Sequence, residues 1–141
     1  MNVTELIKRD EGVVKIGGRH TPYQDSLGLE TIGYGRLLSR GLSEDEAEYL
    51  LENDIKLVEA QADQFDWYHG LDEVRQAVII SMLFNMGISR FSGFHNTISA
   101  IARGDWVAAS NGMLDSKWAG QVKGRAQRLA TMMLTGAWEG V

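Results

Sequence analysis

Three residues near the start of the chain have the types and spacing to break an acetal bond: Glu11, Asp25 and Thr31. Cleaving a glycosidic link needs an acid that protonates the leaving oxygen. It also needs a carboxylate on the other side of the ring that activates water or attacks directly. A hydroxyl beside the second carboxylate helps hold that water. Glu11 ends a helical stretch, Asp25 follows a loop, and Thr31 sits in a β stretch, so the three come from different local structures. Taken alone the trio is weak. The chain has 19 acidic residues, so a Glu, Asp and Thr set also arises by chance. On spacing alone the plainer reading prevails: Glu11 as a helix-end charge, Asp25 as a turn residue, Thr31 as a strand residue.

The elements that must position these groups are legible in outline. Asn2 to about Glu11 is predicted as a short helix, with Asn2 capping, Glu5 completing a capping box, and Val3, Leu6 and Ile7 as its apolar stripe. Gly12 suits a stop. Glu11 then lies where the helix dipole disfavours negative charge, so it needs a cation or a function. Val13 to Tyr34 reads as a small antiparallel hairpin sheet, with Gly17-Gly18 and Leu27-Gly28 as turns and Pro22 at a loop corner. It is too small to stand alone. Ser39 to Leu42 is a linker. Ser43 with Glu46 opens a helix to about Phe65, long enough to join two lobes and back a cleft. Asp72 caps a segment that is apolar nearly all round, which marks a buried helix, and Gly87 stops it. Asn96 to Ala102, Trp106 to Leu114 and Arg125 to Leu134 read as further helices. The expected fold class is α+β and mostly helical, as one 141-residue domain. Its parts are a first helix over 1–12 packing on the C-terminal lobe, a β lobe over 13–42, an inter-lobe helix over 43–65 and a helical lobe over 66–141.

Composition narrows the function classes. Net charge is −5 and pI about 5.1, which argues against a nucleic-acid partner, since phosphate binding needs a concentrated basic surface. The absence of cysteine removes a thiol nucleophile, a disulfide framework and a thiolate zinc site. His20, His69 and His95 show no ligand spacing, so no metal and no cofactor is expected. The N-terminus has charges where a secretory signal needs an apolar core. The longest apolar run, Val78 to Phe84, is too short to span a bilayer, so no stable membrane insertion is expected. Gly33-x-Gly35 lacks the strand-to-helix context of a phosphate loop. Trp106, Trp118 and Trp138, with Met82, Met86, Met113, Met132 and Met133, read as core filling.

The surroundings of the trio change its weight. Glu11-Gly12, Tyr23-Gln24-Asp25 and Thr31-Ile32-Gly33-Tyr34-Gly35-Arg36-Leu37-Leu38 resemble the phage-type lysozymes of glycoside hydrolase family 24, the T-even and lambdoid endolysin type. The likeness continues in order along nearly the whole chain. It runs through Leu42 to Glu48, Phe84-Asn85-Met86-Gly87, Gly93 to Thr97, Trp106, Ser116-Lys117-Trp118, Gly124 to Arg128 and Thr135 to Trp138. The resemblance implies Glu11 as proton donor, Asp25 as the group activating water, and Thr31 as its holder. It implies peptidoglycan as substrate, cut at the β-1,4 bond between N-acetylmuramic acid and N-acetylglucosamine with inversion. Leu37, Phe84 and Thr97 match saccharide-cleft positions. Arg125 matches a basic residue that pairs with the catalytic Glu, and Arg128 one that pairs with the preceding acid, here Asp10. An endolysin of this type is a monomer that waits in the host cytoplasm until a holin releases it to the wall. The open alternatives are a lytic transglycosylase on the same substrate and a non-catalytic wall-binding phage structural module.

Three departures from the family pattern matter. The Glu11–Asp25 spacing is longer than in the T-even type, and the surplus falls in Gly17 to Pro22. Arg36 stands where many relatives have His, and Asp54 aligns with the acid that pairs with that His, so an Arg36–Asp54 ion pair is expected. The chain is acidic, so long-range attraction to an acidic wall is confined to the region of Lys117, Lys123, Arg125 and Arg128. Gly112 removes one possible sugar contact.

Overall fold

The computed structural model describes residues 1–139. It is an α+β fold, mostly helical, with a small antiparallel sheet region near the N-terminus. Two compact units divide the chain, residues 1–48 and 49–141. The division falls inside the second helix, which starts in the first unit and continues into the second.

The first unit opens with α1 (Val3–Asp10). Asn2 accepts the Glu5 N–H at 2.9 Å, and the Glu5 carboxylate accepts the Asn2 N–H at 2.9 Å. The capping box expected from the sequence is therefore present, and two otherwise orphaned N–H groups are satisfied. The helix stops differently from expectation. Gly12 does not take up a left-handed cap. Instead Glu11 itself turns to extended backbone, φ −79° and ψ 133°, while its N–H still bonds the Ile7 carbonyl at 2.9 Å.

The β region is two sheets rather than one hairpin sheet. β1 (Lys15–Ile16) and β2 (Arg19–His20) form a two-stranded hairpin. Gly17 and Gly18 link them with φ of 59° and 78°. Two successive left-handed residues make the primed turn whose twist matches a hairpin, and glycine enters that region without strain. β3 (Tyr23–Gln24), β4 (Glu30–Ile32) and β5 (Arg36–Leu37) form a three-stranded antiparallel sheet in the order β3-β4-β5. Tyr23 pairs with Thr31, and Thr31 with Leu37. Directly opposed residues share a face, so these three side chains form one row across the sheet.

After a 3-10 turn over Leu38–Arg40, α2 (Glu44–Ala62) begins with the expected capping box. Ser43 N–H donates to Glu46 at 2.9 Å, and Glu46 N–H donates to the Ser43 hydroxyl at 3.2 Å. Arg36 corrects the sequence reading. The carboxylate its guanidinium binds is that of Glu46, in the first turn of α2, in place of the expected Asp54 further along the helix. A continuous helix offers several acids to one Arg, and the sheet presents Arg36 to the start of α2. The Ser43 N–H, then the Arg36 guanidinium and the Ser43 hydroxyl, pull the Glu46 carboxyl down to about 2.

The second unit is built around α3 (Glu73–Met86), capped by Asp72 accepting the Arg75 N–H at 2.9 Å and stopped at Gly87, as the sequence implied. Val78, Ile79, Met82 and Leu83 are fully buried. α4 (Ile88–Ser92), α5 (His95–Ala102), α6 (Trp106–Leu114), α7 (Lys117–Val122) and α8 (Gly124–Thr135) surround it, with α6 packed on α5 and α8, and α3 on α8. α4 and α7 are short helices absent from the sequence reading. Arg75 locks this unit. Its guanidinium donates to the Met133 carbonyl at 2.7 Å and the Leu134 carbonyl at 3.0 Å, and stacks 4.0 Å from the Trp106 ring centroid. Met82, Met113, Met132 and Met133 are core residues as expected, and Met86 is partly buried against them. Trp118 is buried and Trp106 partly so, but Trp138 is 52% exposed. The helix ends at Thr135 and the chain turns out through a left-handed Gly136 before Trp138, so that indole does not fill the core.

Candidate active site

Glu11, Asp25, Thr31 and Leu37 line one cavity of the first unit, of about 700 Å³. That is within the range of small-ligand sites, roughly 300–1,000 Å³. Val13, Val14, Leu27 and Leu29 add apolar wall, and Tyr23, Gln24 and Gly35 complete it. The sheet and the end of α1 therefore bring together the three residues singled out for chemistry.

Asp25 is held by its own turn. It starts the β3–β4 connection, where Gly28 N–H donates to the Asp25 carbonyl and Asp25 N–H to the Leu29 carbonyl, both at 2.9 Å. One carboxylate oxygen, Oδ1, accepts the N–H groups of Leu27 and Leu29, each at 2.9 Å. An Asp whose side chain bonds the backbone two residues on is an Asx-turn, the local device that suits Asp to this position. The turn uses Oδ1 and leaves Oδ2 without a hydrogen bond inside the first unit. The carboxylate is thus fixed in orientation by main chain rather than by a cation.

Thr31 is 1% exposed, from the centre of the middle strand. Its hydroxyl donates to the Leu29 carbonyl at 2.8 Å. A hydroxyl has one proton and two lone pairs. With the proton committed to Leu29, Thr31 Oγ1 keeps only acceptor capacity. Leu29 is a residue that the sequence reading missed. Its carbonyl receives both Asp25 N–H and Thr31 O–H, linking the two polar groups through one peptide. No sequence signal marks a backbone carbonyl.

Asp10 and Arg36, the other expected site residues of the first unit, fall outside this cavity. Asp10 bonds its neighbour Arg9 at 2.9 Å. Arg36 ties β5 to the Glu46 cap. Asp54, Phe84, Thr97, Arg125 and Arg128 belong to the second unit. There Phe84 and Arg125 line a groove between α2 and α3, and Arg125 donates to the Ser81 hydroxyl at 2.9 Å. Thr97 lines a separate depression with Gly112 and is 4% exposed. A Cβ at Gly112 would overlap the Thr97 hydroxyl. Among the described residues no group of three acidic or His side chains is arranged to hold a metal.

Comparison with known proteins identifies the family. The Phage lysozyme family model matches residues 13–132, and the chain belongs to the phage lysozyme family. That family is one of lysozyme-type cell-wall glycosidases. The match begins just after Glu11, so the position of that residue rests on the geometry above. The chain is 27% identical to the pre-baseplate central spike protein Gp5 of Enterobacteria phage T4 over 99% of its own length, and it spans only 28% of that longer protein. It is also 25% identical to the probable T4-type lysozymes 1 and 2 of Dictyostelium discoideum, each over 96% of this chain and 95% of the relative.

Proposed function

We propose that the protein is a muramidase that hydrolyses the β-1,4 bond between N-acetylmuramic acid and N-acetylglucosamine in peptidoglycan, in the role of an endolysin. Glu11 protonates the leaving oxygen. Asp25 takes a proton from water through Oδ2 as that water attacks the anomeric carbon, and Thr31 Oγ1 accepts the water's other hydrogen. No cofactor enters this scheme. Release from the host cytoplasm through a holin-type pore belongs to the same reading, and only the resemblance to endolysins supports it.

The observation that carries the reading is the commitment of the Thr31 proton to Leu29. It makes the residue beside Asp25 a pure acceptor, which suits a held water. A lytic transglycosylase, whose sugar closes on itself, does not need a held water in its first step. The spike-protein similarity favours a second reading, in which the same fold serves as a module of a phage particle. Clearing of purified sacculi by wild type beside Glu11→Gln tests the first. General acid catalysis is worth about 10²- to 10⁴-fold, so Glu11→Gln should lose at least 100-fold. Equal clearing by both would reject the catalytic role. Anhydro-muropeptides as the main product would reject hydrolysis.

A further inference from the structure

Glu11 ends α1 on extended backbone, and within the first unit its carboxylate has no hydrogen-bond partner. A proton donor still needs a fixed place, because a displacement of about 1 Å can cost roughly 100-fold in rate. The place is set by the β4–β5 turn. Gly35 in that turn has φ +77°, and a Cβ built on it would lie 2.8 Å from Glu11 Oε2, 2.9 Å from Cδ and 3.1 Å from Oε1. Near-equal distances to all three atoms mean that the carboxylate rests by its face on the bare glycine. A second contact holds the same turn to the same helix, since the Lys8 ammonium lies 5.4 Å from the Tyr34 ring centroid. Lys8 and Glu11 are three residues apart and share one face of the helix end.

We propose that Gly35 is a positioning residue for the acid, the seat against which the Glu11 carboxylate is held in the cavity. The inference rests on Glu11 being the proton donor. A side chain at 35 meets the far end of a flexible Glu, so the carboxylate moves and the turn does not. Beyond the left-handed strain that any side chain meets at φ +77°, the loss should fall on catalysis.

Gly33 supplies the control. It lies in the same turn with φ +64°, but a Cβ there meets nothing within 4 Å. Gly33→Ala and Gly35→Ala thus share the left-handed strain and differ in the collision with Glu11. On purified sacculi, kcat should fall at least 30-fold in Gly35→Ala with KM within threefold, while Gly33→Ala stays within threefold in both. In a Glu11→Asp background, whose shorter side chain clears the methyl, adding Gly35→Ala should cost less than threefold more. If Gly35→Ala melts lower than Gly33→Ala, the excess should vanish in a Glu11→Ala background. Equal kcat for the two alanine variants would overturn the seat, as would an undiminished loss in Glu11→Asp or a melting excess that persists without the Glu11 carboxylate. Should Glu11→Gln prove fully active, the assignment of Glu11 fails and the seat with it. If Glu11→Gln is dead and the two alanine variants match, only the seat fails.

Discussion

Thr31 offers the sharpest separation of catalysis from stability, because its two functional atoms can be removed one at a time. Thr31→Val replaces the hydroxyl with a methyl of similar volume. The buried hydrogen bond to the Leu29 carbonyl at 2.8 Å is lost. That carbonyl keeps the Asp25 N–H at 2.9 Å, so it is not orphaned. The expected cost is therefore at the low end for a buried hydrogen bond, about 0.5–1 kcal/mol, or roughly 2–4 °C in Tm for a chain of this size. The acceptor for the attacking water disappears completely, and turnover should drop about 100-fold. Thr31→Ser does the reverse. It keeps the hydroxyl and deletes the methyl of a residue that is 1% exposed, costing about 1 kcal/mol from lost transfer and the void left behind. It should retain at least a third of the activity. The assay is clearing of purified sacculi at 25 °C, corrected for folded fraction from a thermal melt of each variant. The reasoning fails if Val and Ser lose activity in equal measure, because the site would then be reporting packing rather than a held water.

Other expected outcomes follow from the same contacts. Asp25→Asn keeps an oxygen where Leu27 and Leu29 N–H donate, so its Tm should stay within about 2 °C of wild type while activity falls at least about 100-fold. Asp25→Ala should lose the same activity and about 2 kcal/mol besides, measured by urea unfolding. Glu46 is held down to about 2 by Ser43 and Arg36, from an ordinary 4.5. Its folded value is depressed, so its contribution to stability is full above about pH 4.5 and is lost as pH falls through about 2. Melts of wild type and Glu46→Gln should therefore converge on acidification over that window and run parallel near neutrality. Arg75→Ala strips the Met133 and Leu134 carbonyls of their donor and should cost about 3 kcal/mol. Activity per folded molecule should be unchanged, read by pairing a melt with clearing at 15 °C.

What was legible in the sequence was mostly local. The caps at Asn2, Ser43 and Asp72 form as expected because each bonds a backbone group within three residues. The Gly17-Gly18 turn is equally local. Arg36 shows the limit. Its type predicts an acidic partner, but the choice of Glu46 over Asp54 depends on where the sheet carries Arg36. Trp138 has the composition of a core residue and lies past the end of its helix. α4 and α7 have five and six residues, too short for a periodic pattern to show. In the site, Glu11, Asp25 and Thr31 were readable as types, with the ordered family motifs lifting them above chance. The roles of Leu29 and Gly35 were not, since one acts through a main-chain carbonyl and the other through an atom it lacks.

The tip of the β1–β2 hairpin stands apart from the cavity wall. Residues 15–22 are absent from the cavity wall, whose nearest strand-entry residues are Val13 and Val14. The turn at its tip is closed by two glycines that meet nothing within 4 Å. The β3–β4 turn has no such freedom, because Asp25 is at once its hydrogen-bond anchor and the site's carboxylate. Length variation is therefore channelled to one address. A peptide or a binding module spliced between Gly17 and Gly18 would be displayed from the rim of the first unit, with the reacting groups left in register.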